Sequence, residues 1–160
     1  KKKLNNTIPV GFSDLAGKNI IIDGANILHE CSSATKQLEL NPLKKYIQEL
    51  ESANVGSLSI VFDASTQHKF SKEDAVEFIS MINDNKSNYT LAPKATEADS
   101  IVLNIAHKTE SIVITNDFYD DYKEKLPEAY NWFKSNHITA SHVMGIWSMN
   151  TTNSNEFMNE

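Results

Sequence analysis

The sequence predicts an α/β protein with three layers, in which a central parallel sheet is flanked by helices. Residues 19–23 include three consecutive Ile, an apolar run that is too short for a helix and suits a strand buried on both faces. Further apolar runs at 57–62 and 111–115 are separated from it by segments with helical spacing of apolar residues. This alternation is typical of parallel strands that are joined by helical crossovers.

The first predicted strand, 19–23, ends at the carboxylate of Asp23. We expect Gly24 to permit the tight turn that follows. We also expect this strand at the centre of the sheet, between the strands at 57–62 and 111–115, because both of those end beside acids that must meet Asp23.

The segments that follow carry helix and strand signals in alternation. Residues 25–40 are ambiguous, but Asn41 is the expected N-cap of a helix with Pro42 at its first position. Ser71 is the expected N-cap of the next long helix, with an acid three residues later as in a capping box. The other predicted elements are a strand at 89–92, helices that begin near residue 96 and at Pro127, and a last strand or hairpin within 137–149.

We expect one domain over residues 19–149, because 160 residues can bury a sizeable core and no internal repeat or linker is visible. Residues 1–18 are interpreted as an N-terminal extension with loop or one helical turn. Residues 150–160, rich in Asn, Thr and Ser, are interpreted as a flexible C-terminal tail. The chain begins without Met or an apolar segment, so we expect no signal peptide and interpret the chain either as a piece of a larger parent protein or as a chain that was trimmed at its start.

The charge balance is not that of a simple basic nucleic-acid-binding module. The formal net charge is −6, and all 15 basic residues are Lys, so any phosphate contact lacks the bidentate Arg fork. A nuclease can still be acidic when its carboxylates are concentrated in one metal-binding cleft. Cys31 is the only cysteine, which fits a reducing compartment, and we expect a cytoplasmic location. No run approaches the ~20 apolar residues that cross a membrane.

Acidic side chains recur where the predicted strands end. In a parallel sheet the carboxyl ends of the strands share one edge, and the following helices begin there, so these acids should converge. Clustered carboxylates repel one another, and a hard divalent cation such as Mg²⁺ or Mn²⁺ offsets that cost and supports phosphodiester cleavage. The candidates are Asp23, Asp63 and Asp117 after strands, Glu97 and Asp99 in the first turn of a helix, and Asp120 and Asp121 after Asp117.

Each of these residues also has a purely structural interpretation. Asp63 is, by itself, typical of a helix cap or a turn, and Asn26 can cap the helix that follows the first strand. Glu97 and Asp99 favour a helix N-terminus through its dipole. Lys69 and Lys94 can bind phosphate, although solvated surface lysines are more common. Asp23 and Asp117 are harder to explain as caps, because both lie beside Asn or Gly at the mouths of central strands.

Three stretches together resemble the PIN-like nucleases, and among them the NYN ribonucleases of the Regnase type. The matching stretches are Ile-Ile-Asp-Gly-Ala-Asn at 21–26, Glu-Ala-Asp-Ser-Ile-Val at 97–102, and the segment 111–121, which ends in Thr-Asn-Asp-Phe-Tyr-Asp-Asp. They occur in the family's order and with similar spacing, and the resemblance covers roughly residues 19 to 145. The third stretch makes the combination fairly specific.

The resemblance implies a Rossmann-like PIN fold and an Mg²⁺- or Mn²⁺-dependent endoribonuclease that acts on single-stranded or loop RNA, with a homodimer left open. It places metal-binding, catalytic acids at Asp23, Asp99, Asp117 and Asp121, with Glu97 and Asp63 as further candidate ligands. The substrate-binding candidates are Asn26, Thr115, Asn116, Lys69 and Lys94. The chain departs from the Regnase pattern in one acidic position, where Ala98 precedes Asp99 and the second acid is Glu97.

Two other functional classes compete with a nuclease: a binding module and a phosphotransfer domain. A catalytically silent PIN-like module would bind RNA or a protein without cutting, but the acids at the matched positions are intact. A receiver domain would need a pair of acids after the first strand, where Gly24 and Ala25 follow Asp23 instead. A phosphatase of the haloacid dehalogenase type would need a second Asp at the position of Ala25.

Overall fold

The structure, a computed structural model, describes residues 7–32 and 37–152. The strands in this part are β1 (Thr7–Val10), β2 (Asn19–Asp23), β3 (Ser57–Phe62), β4 (Tyr89–Leu91), β5 (Ile112–Ile114), β6 (His137–Val143) and β7 (Ile146–Thr152). The helices are α1 (Gly24–Glu30), α2 (Asn41–Ser52), α3 (Lys72–Asp84), α4 (Ala98–Thr109), α5 (Tyr122–Lys125) and α6 (Pro127–Ser135). Two 3-10 turns, Phe12–Leu15 and Thr66–Lys69, complete the described elements.

The strands form one seven-stranded sheet in the order β1-β7-β6-β5-β2-β3-β4. The five strands from β2 to β6 are parallel, whereas β7 pairs antiparallel with β6 and β1 pairs antiparallel with β7. The predicted centre is confirmed, because β2 lies between β3 and β5. The last predicted element is a hairpin that extends the parallel sheet at one side.

Two cores sandwich the sheet, and successive residues of β2 enter them alternately. Ile20 and Ile22 belong to the core under α1, α2 and α3, whereas Ile21 belongs to the core under α4, α5 and α6. All three side chains are fully buried. The three consecutive Ile residues of the sequence are therefore explained by burial on both faces, as expected for a central parallel strand.

The first part of the chain contributes more to the sheet than the sequence indicates. A 3-10 turn covers Phe12–Leu15, but Thr7–Val10 forms the edge strand β1, where the expectation was loop or one helical turn. Pro9 is tolerated there because β1, among the strands of residues 7–32 and 37–152, pairs with β7 alone. Strand β7 continues to Thr152, past the predicted end at residue 149. The remaining expectations for residues 1–6 and 153–160 lie outside the described residues.

Two smaller predictions concerned helix starts. Ser71 is the N-cap of α3, and its hydroxyl accepts a hydrogen bond from the backbone N–H of Asp74, as predicted. Asn41 was wrongly predicted as an N-cap, because it is the first residue of α2 and Leu40 holds the cap position. The isolated bridge of Leu38 with Phe70 and the burial of Leu40 hold the chain in place at this point. No helix in the described ranges is long and apolar enough to span a bilayer.

Gly24 is required for close packing rather than for a turn. It is the first residue of α1, and its φ is not in the left-handed region. A Cβ at this position would lie 2.4 Å from Cδ1 of Phe62 and 2.9 Å from the carbonyl oxygen of Val61. The expected tight turn is therefore replaced by a direct approach of α1 to β3, which places the start of this helix beside the end of β2.

We predict that Gly24→Ala destabilises the fold by about 1–3 kcal/mol, because the added methyl group would overpack against Phe62 and backbone. Gly11→Ala is the matched control, since its Cβ would meet its neighbours at 3.5 Å or more. Urea unfolding of both variants measures the difference. Equal stability of the two variants would contradict the packing role of Gly24.

Candidate active site

The acids singled out in the sequence lie at one edge of the sheet. Asp23 is the last residue of β2, Asp63 follows β3 directly, and Asp117 follows β5 after a gap of two residues. These three strands are parallel neighbours, so their carboxyl ends share an edge. Helix α4 starts at the same edge after β4, with Glu97 as its N-cap and Asp99 in its first turn.

The pKa of Asp99 shows how closely these acids converge. Burial and then the charges of Asp23, Asp117, Asp63 and Glu97, in that order, together raise this pKa from the usual 3.8 to about 7. Within the described residues, the groups that raise the pKa of Asp99 by their charge are therefore all carboxylates. Five acids from four segments of the chain share one electrostatic environment.

Asp23 is the deepest member of this acidic cluster, which consists of Asp23, Asp63, Glu97, Asp99 and Asp117. It is 4% exposed, and burial raises its pKa, with a smaller contribution from the charge of Asp63. The hydroxyls of Tyr119 and Thr115 donate to its Oδ2 at 2.6 and 3.1 Å. These hydrogen bonds favour the ionised carboxylate and partly offset the effect of burial.

Asp117 is exposed, but the loop after β5 fixes its position. Its backbone N–H donates to the Thr115 hydroxyl oxygen at 3.1 Å. Its Oδ1 accepts the backbone N–H of Tyr119 at 2.8 Å, an Asx-type turn. The side chain of Asp117 is thus held at the rim of the acidic cluster, where solvent and a substrate can reach it.

The expected substrate contacts at Asn26, Thr115 and Asn116 make hydrogen bonds inside the protein. Asn26 Oδ1 accepts the backbone N–H of Asn116 at 2.8 Å, which joins α1 to the loop after β5. The Asn116 amide pairs with both backbone groups of Ala140 at 2.8 and 2.9 Å, which joins that loop to β6. Thr115 is fully buried. These residues set the shape of the edge that carries the acids.

A cleft of about 490 Å³ adjoins the acidic cluster at Asp63. Lys94 lines this cleft and is exposed, whereas Lys69 is exposed at the end of the second 3-10 turn and does not line it. The remaining lining residues are Ala64, Ser65, His68, Pro93, Ala95 and Thr96. Asp121 is exposed at the N-cap position of α5 and is not among the acids that raise the pKa of Asp99.

Sequence reasoning missed two tyrosines that hold members of the acidic cluster. Tyr119 donates to Asp23, and the Tyr122 hydroxyl donates to Glu97 Oε2. The rings of Tyr119 and Tyr122 contact each other edge to face, with centroids 6.4 Å apart. The three-residue spacing of these aromatic side chains in an acidic loop is the signal that could have indicated a buried pair.

The donor set of the acidic cluster suits a hard divalent cation. All of its side chains offer carboxylate oxygens, the ligands that Mg²⁺ and Mn²⁺ prefer, and their mutual repulsion is the cost that such a cation offsets. In the described ranges, no three Asp, Glu, His or Cys side chains are arranged to hold one ion together. The residues therefore fit an ion that takes one or two carboxylates and completes its coordination with water, as Mg²⁺ does.

We predict that Asp99→Asn stabilises the metal-free protein more at pH 8 than at pH 5. The pKa of Asp99 is raised to about 7 in the folded state, so the folded protein keeps a proton that the unfolded chain releases above pH 3.8. This group's contribution to stability therefore falls as the pH rises through 4 to 7, and the asparagine variant lacks that fall.

Urea unfolding in EDTA at both pH values measures this effect. Asp84→Asn is the control with the same change of charge, because Asp84 is exposed at the last residue of α3, close before the amino end of β4. A gain for Asp99→Asn that is the same at both pH values would contradict the raised pKa.

The fold is similar to solved structures of nuclear protein-only RNase P 2 (PRORP2) from Arabidopsis thaliana. One superposes with a TM-score of 0.67 and 18% identity over 88% of this chain. Another superposes with a TM-score of 0.66 and 19% identity, also over 88%. Each match covers 31% of the solved chain, so this chain spans about a third of the structures that it resembles. At this identity the similarity concerns the fold.

The comparison of sequences gives a more specific result. A search of curated proteins finds no match. Residues 17–155 match the family described as the Zc3h12a-like ribonuclease NYN domain. This range contains the acidic cluster and every strand from β2 to β7. The resemblance to NYN ribonucleases that the sequence motifs predicted is thus confirmed, and the chain belongs to the Zc3h12a-like ribonuclease NYN domain family.

Proposed function

We propose that this chain is a divalent-metal-dependent endoribonuclease that cleaves RNA phosphodiester bonds at the acidic cluster. The observation that carries the proposal is the convergence of Asp23, Asp99 and Asp117 at one edge of the sheet, in a chain of a ribonuclease family. A cluster of carboxylates that raises its own pKa values has a cost in the metal-free protein. Binding of a divalent cation relieves this repulsion, and the relief contributes to the affinity of the site for the cation.

One or two of the acids Asp23, Asp99 and Asp117 would contact the ion directly, with water completing its coordination and with Glu97 and Asp63 at the border of the acidic cluster. When bound, Mg²⁺ or Mn²⁺ makes water more acidic and stabilises negative charge that develops on the phosphate. Asp121 is proposed as a further acid on the resemblance of its motif alone, since its charge is not among those that raise the pKa of Asp99. We propose Glu97 as a ligand that also fixes Tyr122, because it accepts the hydrogen bond of that residue.

The site has a buried part, at Asp23, and an exposed part, at Asp117, and we propose a different role for each. Asp23 is held from behind by two hydroxyls, so its carboxylate cannot turn away from the edge of the sheet. Asp117 at the rim is open to solvent, which leaves room for a phosphate and an attacking water. An edge that is open on one side suits a flexible, single-stranded or looped RNA better than a rigid duplex.

The net negative charge of this chain disfavours the binding of RNA. The net charge of −6 repels a polyanion, and the chain has Lys but no Arg to counter this repulsion. Lys94 is well placed to do so, because it lines the cleft that adjoins the acidic cluster at Asp63. We propose that a nucleotide next to the cleaved phosphate occupies this cleft, with the Lys94 ammonium near a backbone phosphate.

We predict that Asp23→Asn and Asp117→Asn each reduce cleavage of an unstructured RNA more than about a hundredfold, with RNA binding retained. The reason is that charge stabilisation at the reacting phosphate acts chiefly in the transition state. Asp63→Asn and Asp121→Asn should have smaller effects, because Asp63 is at the border of the cluster and Asp121 lies outside it. EDTA should abolish cleavage by the wild type.

Single-turnover cleavage of an end-labelled RNA in Mg²⁺ or Mn²⁺ measures these rates, with Asp84→Asn as the control for a lost surface charge. Full activity of Asp117→Asn, or full activity in EDTA, would rule out this mechanism. RNA that binds tightly but stays uncut by the wild type, in Mg²⁺ and in Mn²⁺, would instead favour the catalytically silent binding module.

We predict that Lys94→Gln weakens RNA binding several-fold and lowers the dependence of log K on log salt by about 1, the loss of one phosphate contact. Lys86→Gln is the matched control, because Lys86 is exposed in the turn between α3 and β4, away from the cleft. Fluorescence anisotropy in EDTA at several salt concentrations separates the two. Identical salt slopes for both variants would contradict a phosphate contact at Lys94.

A further inference from the structure

Tyr119 contacts two acids of the cluster at the same time. Its phenol hydroxyl donates to Asp23 Oδ2 at 2.6 Å. Its backbone N–H donates to Asp117 Oδ1 at 2.8 Å. Because Asp23 ends β2 and Asp117 follows β5, this one residue connects the ends of two neighbouring strands that both carry candidate metal ligands.

The backbone of Tyr119 adopts a conformation that is unusual for its type. Its φ is 52°, in the left-handed region that bulky residues rarely occupy. Such conformations persist where the surrounding structure enforces them, and they are common at functional sites. The two hydrogen bonds to Asp23 and Asp117 are the contacts that this turn makes possible.

The ring of Tyr119 has a rigid setting. It is 2% exposed and packs against Phe133 of α6, with ring centroids 4.8 Å apart. The edge-to-face contact with Tyr122 supports it from the α5 side. A hydroxyl on a ring that is packed in this way reaches Asp23 from a fixed point, so its hydrogen bond fixes the carboxylate as well.

The Asp23 carboxylate has three hydrogen-bond partners, the hydroxyls of Tyr119 and Thr115 and the backbone of Asn26. Tyr119 and Thr115 both donate to Oδ2. An ionised carboxylate oxygen offers about two lone-pair sites, so the two hydroxyls fill those of Oδ2. These two hydroxyls therefore fix the orientation of the whole carboxylate.

We infer that Tyr119 is a positioning residue, which holds Asp23 and Asp117 together so that the Asp23 carboxylate is presented to a divalent cation. The catalytic role of the cation rests on the proposed function, whereas the inference itself concerns the affinity of the protein for the cation. Groups that orient metal ligands through hydrogen bonds typically contribute 10- to 100-fold to metal affinity.

A merely structural role of Tyr119 makes a different prediction. Loss of a buried hydroxyl that only stabilises the fold would lower the melting temperature and leave the affinity of a correctly folded site for Mn²⁺ unchanged. A positioning role lowers that affinity in protein that is still folded. It also requires that the effect of the hydroxyl disappears once its acceptor, Asp23, can no longer act as a ligand.

The test is titration of the full chain with MnCl₂ and detection of free Mn²⁺ by electron paramagnetic resonance, well below the lowest melting temperature of the variants. Tyr119→Phe keeps the packed ring and removes the hydroxyl alone. Tyr130→Phe is the matched control, because Tyr130 is also buried and its ring centroid lies 6.3 Å from that of the same Phe133. Asp23→Asn and the double variant Tyr119→Phe/Asp23→Asn complete the set.

We expect Tyr119→Phe to raise the Kd for Mn²⁺ about 10- to 100-fold, with Tyr130→Phe within about twofold of the wild type. The double variant should bind no more weakly than Asp23→Asn. Wild-type affinity in folded Tyr119→Phe would overturn the inference, and so would a wild type that binds no Mn²⁺. Mn²⁺ binding by a wild type that cuts no RNA would overturn the proposed function, while the comparison of variants would still decide the role of Tyr119.

Discussion

Repulsion among carboxylates is the constraint around which this domain is built. The parallel pairing of β2 with β3 and β5 forces the strand ends together, and the start of α4 brings two more acids to the same edge. The protein tolerates this arrangement because the hydrophobic cores on both faces of the sheet supply most of its stability. Repulsion at the acidic edge therefore lowers the stability locally, and the stability that the two cores supply offsets it.

The environment of Asp23, at the buried end of the cluster, shows how the burial of a charged group is compensated. Asp23 is almost fully buried, and hydrogen bonds from two hydroxyls and from the backbone of Asn26 in α1 compensate for the lost hydration. The close approach of Gly24 to Phe62 belongs to the same arrangement, since it sets where α1 begins. Asn26 and Asn116 then connect α1, β5 and β6 through their side chains. Packing of small and polar residues thus determines where the charges lie.

The sequence predicts the centre of the sheet and the convergence of the acids well, because both follow from short-range patterns. Three Ile residues before Asp23 indicate a doubly buried strand, and parallel connections place the strand ends together. The roles of Thr115, Asn26 and Asn116 could not be predicted, because they depend on partners about 90 residues away in the chain. The strand Thr7–Val10 was missed for a similar reason. Its signal is four residues with a proline, and its partner is at the other end of the chain.

That pairing determines where the two ends of the described fold lie. Thr7 lies directly opposite Thr152 in the ladder between β1 and β7, so the described chain enters and leaves the fold at neighbouring points. A domain whose ends are adjacent can be inserted into a surface loop of another protein without disrupting that protein's fold. Such a domain can equally be connected to another domain by a linker at one of its ends. In both arrangements, the join would lie at the β1 side of the sheet, several strands away from the acidic edge of β2, β3 and β5.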